Sequence, residues 1–331
     1  MKILLGSHHF PPSTGGIETV SELLAREFHL LGHDVRVITQ TEGPGTFPFP
    51  VIRRPRMREL LRQVRWCEVF LQNNISLRTI WPLLFIRRAL WIAHQTWITQ
   101  ADGHIGWTER GKRFVLRFAR SVAISEAIAQ QLPVSSIKIG NPYDDETFRD
   151  FESGPRETEL IFVGRLVSDK GVDLLLEALS RLSSNARLTI AGDGPERGRL
   201  EKQVADLKLQ AQVEFVGKRN SRELAVLLNQ HRILVVPSRW AEPFGVVALE
   251  GIACGCVVVG SSAGGLAEAI GPCGMTFPNN DVRALATVLD DLLRDPARCD
   301  SFRRGAQAHL ARFTRRHVAG AYLAAMSGAR S

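Results

Sequence analysis

Short apolar runs alternate with segments of helical pattern along the chain, and this alternation constrains the fold more than any other feature. "KILLGS" leads into the loop "SHHFPPSTGG", then "IETVSELLAREFHLLG" with apolar residues at helical spacing, then the strand "DVRVITQ". Strand, glycine-rich loop, helix and strand open a doubly wound parallel sheet. Further strands are predicted at 68–72, 89–93, 121–124 and 137–139.

A polar, turn-rich segment, "GNPYDDETFRDFESGPRETE", interrupts this alternation, which then restarts with "LIFVG", "RLTIAG", "VEFVG", "RILVVPS" and "CVVVGS". With 331 residues, 44% of them hydrophobic, the chain can fill two cores. We therefore predict an α/β protein with two Rossmann-like, doubly wound domains, 1–153 and 154–308. Because ligands of open parallel sheets collect at the carboxyl ends of the strands, the cleft between the domains is the expected site.

Glycine and cationic residues follow the first strand of the second half. "LIFVGRLVSDKG" places Gly164, Arg165 and Lys170 beyond the strand end, with Gly171 opening a helix. Two cations beside a helix N-terminus suit a diphosphate. By itself the pattern also fits a surface loop with ordinary Arg and Lys.

A second glycine turn, Gly192 and Gly194 in "AGDGPE", follows the next strand. It is interpreted either as part of the same site or as a tight connection.

The segment "EPFGVVALE" places two carboxylates, Glu242 and Glu250, at the ends of an almost wholly apolar stretch. If a helix starts near Phe244, the N–H groups of Gly245 and Val246 can receive an anion. Glu242 then precedes the helix, and Glu250 lies about two turns along it. A carboxylate accepts hydrogen bonds from paired sugar hydroxyls, although either glutamate alone is more often a surface charge.

Together these segments resemble the family 4 retaining glycosyltransferases, which have the GT-B fold. The resemblance rests on "PPSTGGIE", "VGRLVSDKG", "AGDGPE" and "PSRWAEPFGVVALEGIACG" followed by "SSAGGLAE". It implies that Arg165 and Lys170 bind the donor diphosphate, that Glu250 holds the ribose hydroxyls, and that Glu242 with the backbone near Phe244 binds the donor sugar. It also implies that the final helical segment, about 309–331, packs back on the first domain.

The resemblance implies several roles for the first half. Gly15 and Gly16 would lie near the donor phosphates and the acceptor. His94, in "WIAHQTW", matches the family's active-site histidine, with hydrogen bonding and electrostatics as its role. The alternatives are a buried core histidine at position 94 and a catalytic histidine in the first loop, "SHHF". Asp102 is a weaker candidate on the acceptor side.

The family's chemistry implies retention of configuration without a side-chain nucleophile and without a cofactor. Cations and helix dipoles would stabilise the departing diphosphate, the role that a divalent metal fills elsewhere. The chain contains no D-x-D triplet, which agrees with a site that needs no metal. The co-substrates are a nucleotide diphosphate sugar and a carbohydrate or lipid-linked acceptor.

The net charge of +8 is concentrated in one region: residues 53–120 hold fourteen basic and four acidic side chains. The segment "RRPRMRELLRQVRW", from Arg53 to Trp66, suits a basic amphipathic helix on an anionic membrane. It equally suits a solvated face whose apolar stripe packs on the protein's own core. Five cysteines without metal-ligand spacing are expected to be reduced and buried, and no apolar run is long enough to span a bilayer. The expected location is cytoplasmic, peripheral at the inner face of the cell membrane.

Four alternatives remain open. A GT-B sugar-nucleotide epimerase and a catalytically silent sugar-nucleotide-binding protein would share the same cleft. A Rossmann oxidoreductase requires G-x-G-x-x-G after the first strand, which "GSHHFPPSTGG" does not supply. Nucleic-acid binding would explain the basic region, but no recognised module accompanies it, so no nucleic-acid partner is expected.

Overall fold

A computed structural model describes residues 1–13, 15–98, 106–151, 156 and 158–328, without the side chains of 107–109. The chain divides into two units, unit 1 (Met1–Pro142 with Phe313–Ser331) and unit 2 (Tyr143–Arg312). The division falls before the predicted one at 153/154. The reason is local: the Asn229 side chain donates to the Arg149 carbonyl (3.0 Å) and accepts from the Phe151 N–H (2.9 Å). Residues 143–151 of the turn-rich segment therefore belong to unit 2.

Unit 1 contains a seven-stranded, all-parallel sheet of order β3-β2-β1-β4-β5-β6-β7. Its strands are β1 (Lys2–Ser7), β2 (Asp34–Thr39), β3 (Val51–Arg53), β4 (Val69–Asn73), β5 (Ala89–His94), β6 (Arg120–Ala123) and β7 (Ser136–Lys138). Its helices are α1 (Gly16–Leu30), α2 (Met57–Trp66), α3 (Leu77–Ile80), α4 (Trp107–Val115), α5 (Glu126–Gln131) and α14 (Arg315–Gly328).

Unit 2 contains a six-stranded, all-parallel sheet of order β10-β9-β8-β11-β12-β13. Its strands are β8 (Thr158–Val163), β9 (Leu188–Ala191), β10 (Val213–Gly217), β11 (His231–Val236), β12 (Val257–Ser261) and β13 (Gly274–Phe277). Its helices are α6 (Val172–Leu179), α7 (Arg197–Asp206), α8 (Ser221–Gln230), α9 (Val246–Ala253), α10 (Leu266–Ile270), α11 (Val282–Arg294), α12 (Pro296–Arg304) and α13 (Ala306–Leu310).

The predicted strands at 68–72, 89–93, 121–124 and 137–139 are confirmed as β4 to β7, each within one residue at its ends. The prediction missed β3 and β13, which are three and four residues long and lie at sheet edges. Both sheets are buried on two faces, as parallel sheets require. In unit 1 the buried strand residues include Leu4, Phe70 and Ile92.

The helix predicted within 53–66 is present as α2, but its apolar face is not free. Leu60 and Val64 are buried in the core of unit 1. Trp66 is covered by the Arg36 guanidinium, 3.8 Å from the ring centroid. Leu60 and Val64 thus pack on the protein's own core, as the packed alternative expects, and membrane contact of α2 stays a prediction.

The final helix, α14, packs on α1 within unit 1. The rings of Phe28 and Tyr322 meet edge to face with centroids 6.4 Å apart, and both side chains are buried. Arg315 faces Glu27 at 4.0 Å. Unit 1 is thus completed by residues from the C-terminal part of the sequence.

The five cysteines are free and buried, as predicted. Burial raises the pKa of Cys67 and of Cys256 to about 12, which keeps both thiols protonated at neutral pH. Across the described ranges, no helix combines the length and the apolar character needed to cross a bilayer.

Candidate functional site

A cluster of polar side chains in unit 2 lies where the strand order of its sheet reverses. β9 and β10 extend to one side of β8, whereas β11, β12 and β13 extend to the other. In open parallel sheets the loops beyond such a switch point form the ligand site. The loops after β8 and β11 carry Lys170 and Glu242.

Lys170 and Glu242 form an ion pair in the structure. The Lys170 ammonium lies 2.6 Å from Oε1 of Glu242, and the Ser238 hydroxyl donates to the same oxygen at 2.6 Å. Glu242 is largely buried and Lys170 is partly exposed. Among the described residues, none donates to Oε2 of Glu242. One carboxylate oxygen is therefore satisfied internally, and the other can accept from a ligand.

The loop that carries Lys170 is fixed by close backbone packing. Gly171 has φ +67°, and a Cβ there would lie 2.1 Å from the Pro237 carbonyl oxygen, so only glycine fits. The Asp169 carbonyl accepts from the Arg239 N–H at 2.8 Å. The Arg239 guanidinium donates to Asp173 of α6, also at 2.8 Å. The loops after β8 and β11 therefore hold each other in place.

Glu242 is also held by the loop after β12. It forms a parallel bridge with Gly264, and its carbonyl accepts from the Gly265 N–H at 2.7 Å. Asn279, just beyond β13, donates to the Ser238 carbonyl (3.0 Å) and accepts from the Ala263 N–H (2.9 Å). The loops after β8, β11 and β12, together with Asn279, thus hold Glu242 in place.

Helix α9 begins at Val246, with Gly245 as its N-cap at φ +99° and no side-chain cap. Phe244 is buried and anchors the turn before it. The predicted start near Phe244 was therefore two residues early. The first N–H groups of α9 have no intrahelical acceptor, which leaves a local positive potential at the helix end.

Glu250 lies four residues beyond Val246, just over one helical turn into α9 and not two. Burial, and to a smaller extent the nearby Asp144 carboxylate, raise the pKa of Glu250 to about 7. Within the described ranges the carboxylate forms no hydrogen bond. Glu250 is half-buried, so its carboxyl, which has no protein donor among the described residues, can accept hydroxyl donors from a ligand.

The other residues predicted in unit 2 have different surroundings. Arg165 is exposed just beyond β8, and no described residue forms an ion pair with it. Gly192 and Gly194 pack against the β8 loop: a Cβ on Gly192 would lie 1.8 Å from the Gly164 carbonyl oxygen, and one on Gly194 would lie 2.3 Å from that of Leu166. The tight-connection alternative accounts for both glycines, and a ligand contact of their backbone stays a prediction.

In unit 1, His94 ends β5 and is 1% exposed. Its Nε2 lies 3.1 Å from the Ser121 hydroxyl of β6. Burial lowers its pKa to about 4, so the imidazole is neutral at physiological pH. The core-histidine alternative describes this burial correctly. Asp102 lies outside the described residues.

The first loop of unit 1 leads into the uncapped N-terminus of α1, where Gly15 is the N-cap and Gly16 the first helical residue. Both glycines are exposed. A cavity of about 390 Å³ lies at the carboxyl ends of β1 and β4, which is the switch point of the first sheet. It is lined by His8, His9, Ile17, Asn73, Asn74, Ile75, Ser76, Leu77, Arg78 and Lys112. Apart from the two histidines of the first loop, sequence reasoning missed its polar lining.

Sequence reasoning also missed Ser238, Asn279 and the Gly264–Gly265 backbone around Glu242. Ser238 had a usable signal, because it ends the predicted run "RILVVPS" and precedes Glu242 by four residues. Asn279 had none, since β13 was not predicted. No group of three or more His, Cys, Asp or Glu side chains suited to a metal ion occurs within the described ranges.

Solved structures with the same fold cover nearly the whole chain. The crystal structure of Anabaena HepE in complex with UDP and glucose matches with a TM-score of 0.84 at 20% identity, over 99% of this chain and 100% of that one. Sucrose-phosphate synthase from Thermosynechococcus elongatus matches with a TM-score of 0.83 at 22% identity, over the full length of both chains. The chain has the GT-B fold expected from its sequence.

Sequence comparison places the chain in a family. Residues 143–309, just over half of the chain, match the model of the "Glycosyl transferases group 1" family, to which the chain therefore belongs. A glycogen synthase from Mycobacterium tuberculosis is 39% identical over 163 residues, which is 48% of this chain and 39% of that protein. The chain thus matches about two fifths of that relative's length.

Proposed function

We propose that the protein is a family 4 glycosyltransferase that moves a hexosyl residue from a nucleotide diphosphate sugar to an acceptor hydroxyl with retention of configuration. The cluster of Lys170, Glu242 and Ser238 at the switch point of unit 2 carries this proposal. Family membership supports it, as does the structural likeness to Anabaena HepE, which was solved with UDP and glucose. We take UDP-sugars as the first donors to test.

Each donor group has a matching partner in unit 2. Arg165 and Lys170 bind the diphosphate, and the uncapped N-terminus of α9, at Phe244, Gly245 and Val246, adds backbone donors. Oε2 of Glu242 accepts a hydroxyl of the transferred sugar, because Oε1 is already occupied by Lys170 and Ser238. Glu250 accepts the ribose hydroxyls. Gly164, Gly192 and Gly194 shape the loop floor beneath the phosphates.

The transfer breaks the bond between the anomeric carbon and the diphosphate oxygen and forms a bond from that carbon to the acceptor oxygen on the same face, while the proton of the acceptor hydroxyl passes to the departing diphosphate. Negative charge develops on the departing diphosphate. Arg165 and Lys170 stabilise that charge, so the proposed reaction needs neither a metal nor a cofactor. We assign the acceptor to unit 1, with Asp102 as its candidate residue; Gly15 and Gly16 are candidates for contact with both the donor phosphates and the acceptor, and neutral His94 acts through hydrogen bonding and electrostatics. His94 contributes Nδ1, since Nε2 is engaged with Ser121.

The acceptor is proposed to be lipid-linked or anionic, and the enzyme to be cytoplasmic and peripheral at the inner face of the cell membrane. The excess of basic residues in 53–120 supports both points. Neutralising Arg58 and Arg65 on the outer face of α2 should then slow transfer to an anionic acceptor. Equal rates for the variant and the wild type with that acceptor would count against this part of the proposal.

The donor site is tested by calorimetry and thermal shift with UDP-, GDP- and ADP-sugars. A donor at 100 times its dissociation constant should stabilise the fold by about 2.7 kcal/mol. We expect one donor to stabilise the wild type and the control variant Lys202→Ala, which changes an exposed lysine of α7. The same donor should not stabilise Lys170→Ala. Absence of binding by every donor at millimolar concentration would refute the donor site.

The reaction class is tested with the donor that binds. Retention predicts a product whose anomeric configuration, measured by NMR, equals that of the donor, and a rate that a chelator leaves unchanged. Isomerisation of the donor without an acceptor would indicate the epimerase instead. Binding without transfer to any acceptor offered, and without donor hydrolysis, would indicate a silent binding protein.

A further inference from the structure

A second surface of unit 1 combines exposed apolar side chains with arginines. Large apolar side chains exposed to solvent are few in the described chain, and four of them, Leu77, Leu84, Phe114 and Phe118, line one open groove of about 1260 Å³. Phe85, next to Leu84 in the chain, is 80% exposed. Contiguous exposed apolar surface of this kind marks an interaction site. We call Leu84, Phe85, Phe114 and Phe118 the apolar rim.

The apolar rim is held in place by the core beneath it. Leu84 ends a 3-10 helix, Trp81–Leu84, and the flanking residues Trp81 and Ile86 pack on the core of unit 1. Phe114 and Phe118 stack edge to face with centroids 5.4 Å apart. Leu84 is 80%, Phe118 73% and Phe114 59% exposed. Solvent-facing aromatic rings on a fixed base are suited to insertion into an apolar phase.

Arginines border the apolar rim on two sides. Arg87 and Arg88 line the groove itself. On the other side of Phe114 lies a second cavity of about 520 Å³ that contains Arg110, Arg113 and Arg117. Phe114 is a wall of both cavities. We call the three arginines of the second cavity the arginine pocket.

One atom of the arginine pocket lacks a protein partner. Nε of Arg113 is buried and makes no hydrogen bond with any described residue. No protein acceptor therefore satisfies this N–H, and the guanidinium that carries it lines the second cavity, where an anionic ligand can pair with its charge. The acid that lines the neighbouring groove, Glu68, already accepts from the Lys2 N–H at 2.8 Å. The charge of this surface therefore calls for an anionic partner.

We propose that the apolar rim and the arginine pocket dock the protein on an anionic phospholipid bilayer. The side chains of the rim enter the acyl region, and the arginines bind headgroup phosphates beside them. A bilayer offers apolar acyl chains and anionic headgroups in adjacent layers. This matches the position of Phe114, which lines both the apolar groove and the arginine pocket. A second copy of the chain fits less well, because its own arginines would oppose these. The inference rests on the peripheral membrane location proposed above and names the surface that meets the bilayer, and it needs neither donor nor acceptor.

The test is flotation with vesicles of phosphatidylcholine, alone or with one part in three of phosphatidylglycerol. The wild type should bind the anionic vesicles at least about tenfold more tightly than the neutral ones, and less tightly as salt rises. Phe85→Ser/Phe118→Ser and Arg113→Gln/Arg117→Gln should each lose about tenfold or more. The matched controls, exposed Leu30→Ser and Arg222→Gln/Arg283→Gln, should bind like the wild type.

Three results would overturn the proposal. The first is that the wild type binds anionic and neutral vesicles equally well. The second is that the matched controls lose as much vesicle binding as the test variants. The third is that the wild type forms a dimer in lipid-free solution and Phe85→Ser/Phe118→Ser dissociates it. Circular dichroism of each variant checks that its fold is intact. Donor binding by calorimetry is measured separately, so failure of vesicle binding is distinguished from failure of the transferase proposal.

Discussion

Glu250 couples the function of the candidate site to the stability of the fold. Its pKa is raised to about 7, so the folded state holds the proton more tightly than the unfolded chain does. The associated stability is complete below the ordinary pKa of a glutamate and is lost as pH rises through about 7. Glu250→Gln removes this loss. It should raise the melting temperature relative to the wild type at pH 8 and change it little at pH 4.

The same substitution should weaken donor binding about ten- to a hundredfold, because a neutral amide replaces a charged acceptor of ribose hydroxyls. Glu214→Gln, on the exposed side of β10, is the matched control and should alter neither property. Thermal unfolding and calorimetry at the two pH values measure both. A variant that is less stable at pH 8 and binds donor normally would contradict the assigned environment and role of Glu250.

His94 has the opposite pH dependence. Its pKa is lowered from 6.5 to about 4, so the folded state disfavours the charged imidazole. The associated stability is present above the ordinary pKa and is lost as pH falls towards 4, by up to about 3 kcal/mol. Urea unfolding of His94→Gln at pH 7 and pH 4.5 should show a smaller acid loss than the wild type. His317→Gln, at an exposed position of α14, should keep the full loss. If the free energy of unfolding fell equally between pH 7 and pH 4.5 in the wild type and both variants, His94 would have an ordinary pKa.

At the scale of elements, the loop between β8 and α6 depends on one glycine. Gly171 has a positive φ and approaches the Pro237 carbonyl, so Gly171→Ala must shift one of the two loops that hold Lys170 and Glu242. We expect a loss of at least about 2 kcal/mol in the free energy of unfolding, measured in urea, together with weaker donor binding. Gly198→Ala is the control, since Gly198 is helical and nothing lies within 4 Å of its Cβ position. It should stabilise by about 0.5 kcal/mol. Similar effects of the two substitutions would contradict the close packing of these loops.

The elements themselves were largely predictable from the sequence, and the reason is the parallel sheet. Strands buried on both faces read as apolar runs, which is why central strands such as β1, β4 and β11 were found. Short edge strands such as β3 and β13 bury too few residues to produce that pattern. The spacing of the two glutamates correctly predicted that Glu242 lies in a loop and Glu250 in the helix that follows it. It could not show that Ser238 and Gly264 contact Glu242, because the meeting of separate loops has no local sequence signal.

At the scale of the molecule, unit 1 is closed by a helix that is distant in sequence. Tyr322 of α14 packs on Phe28 of α1, and its buried hydroxyl has no hydrogen-bond partner among the described residues. Tyr322→Phe removes this unsatisfied group and keeps the ring, so it should stabilise the protein by about 1 kcal/mol. Tyr322→Ala removes the ring and leaves a cavity, so it should destabilise by about 3 kcal/mol or more. Thermal and urea unfolding measure both changes.

Amide hydrogen exchange in Tyr322→Ala shows whether α14 is an integral part of unit 1 or is only loosely attached to it. If α14 is integral to unit 1, Tyr322→Ala should speed amide hydrogen exchange in α1 and in the strands of the first sheet as well as in α14 itself. Exchange in β8 to β13 should stay unchanged, because those strands belong to unit 2. Faster exchange confined to α14 would show that the helix contributes little to the stability of unit 1. Donor binding should persist in this variant, because every residue proposed to hold the donor lies in unit 2 apart from the loop at Gly15 and Gly16.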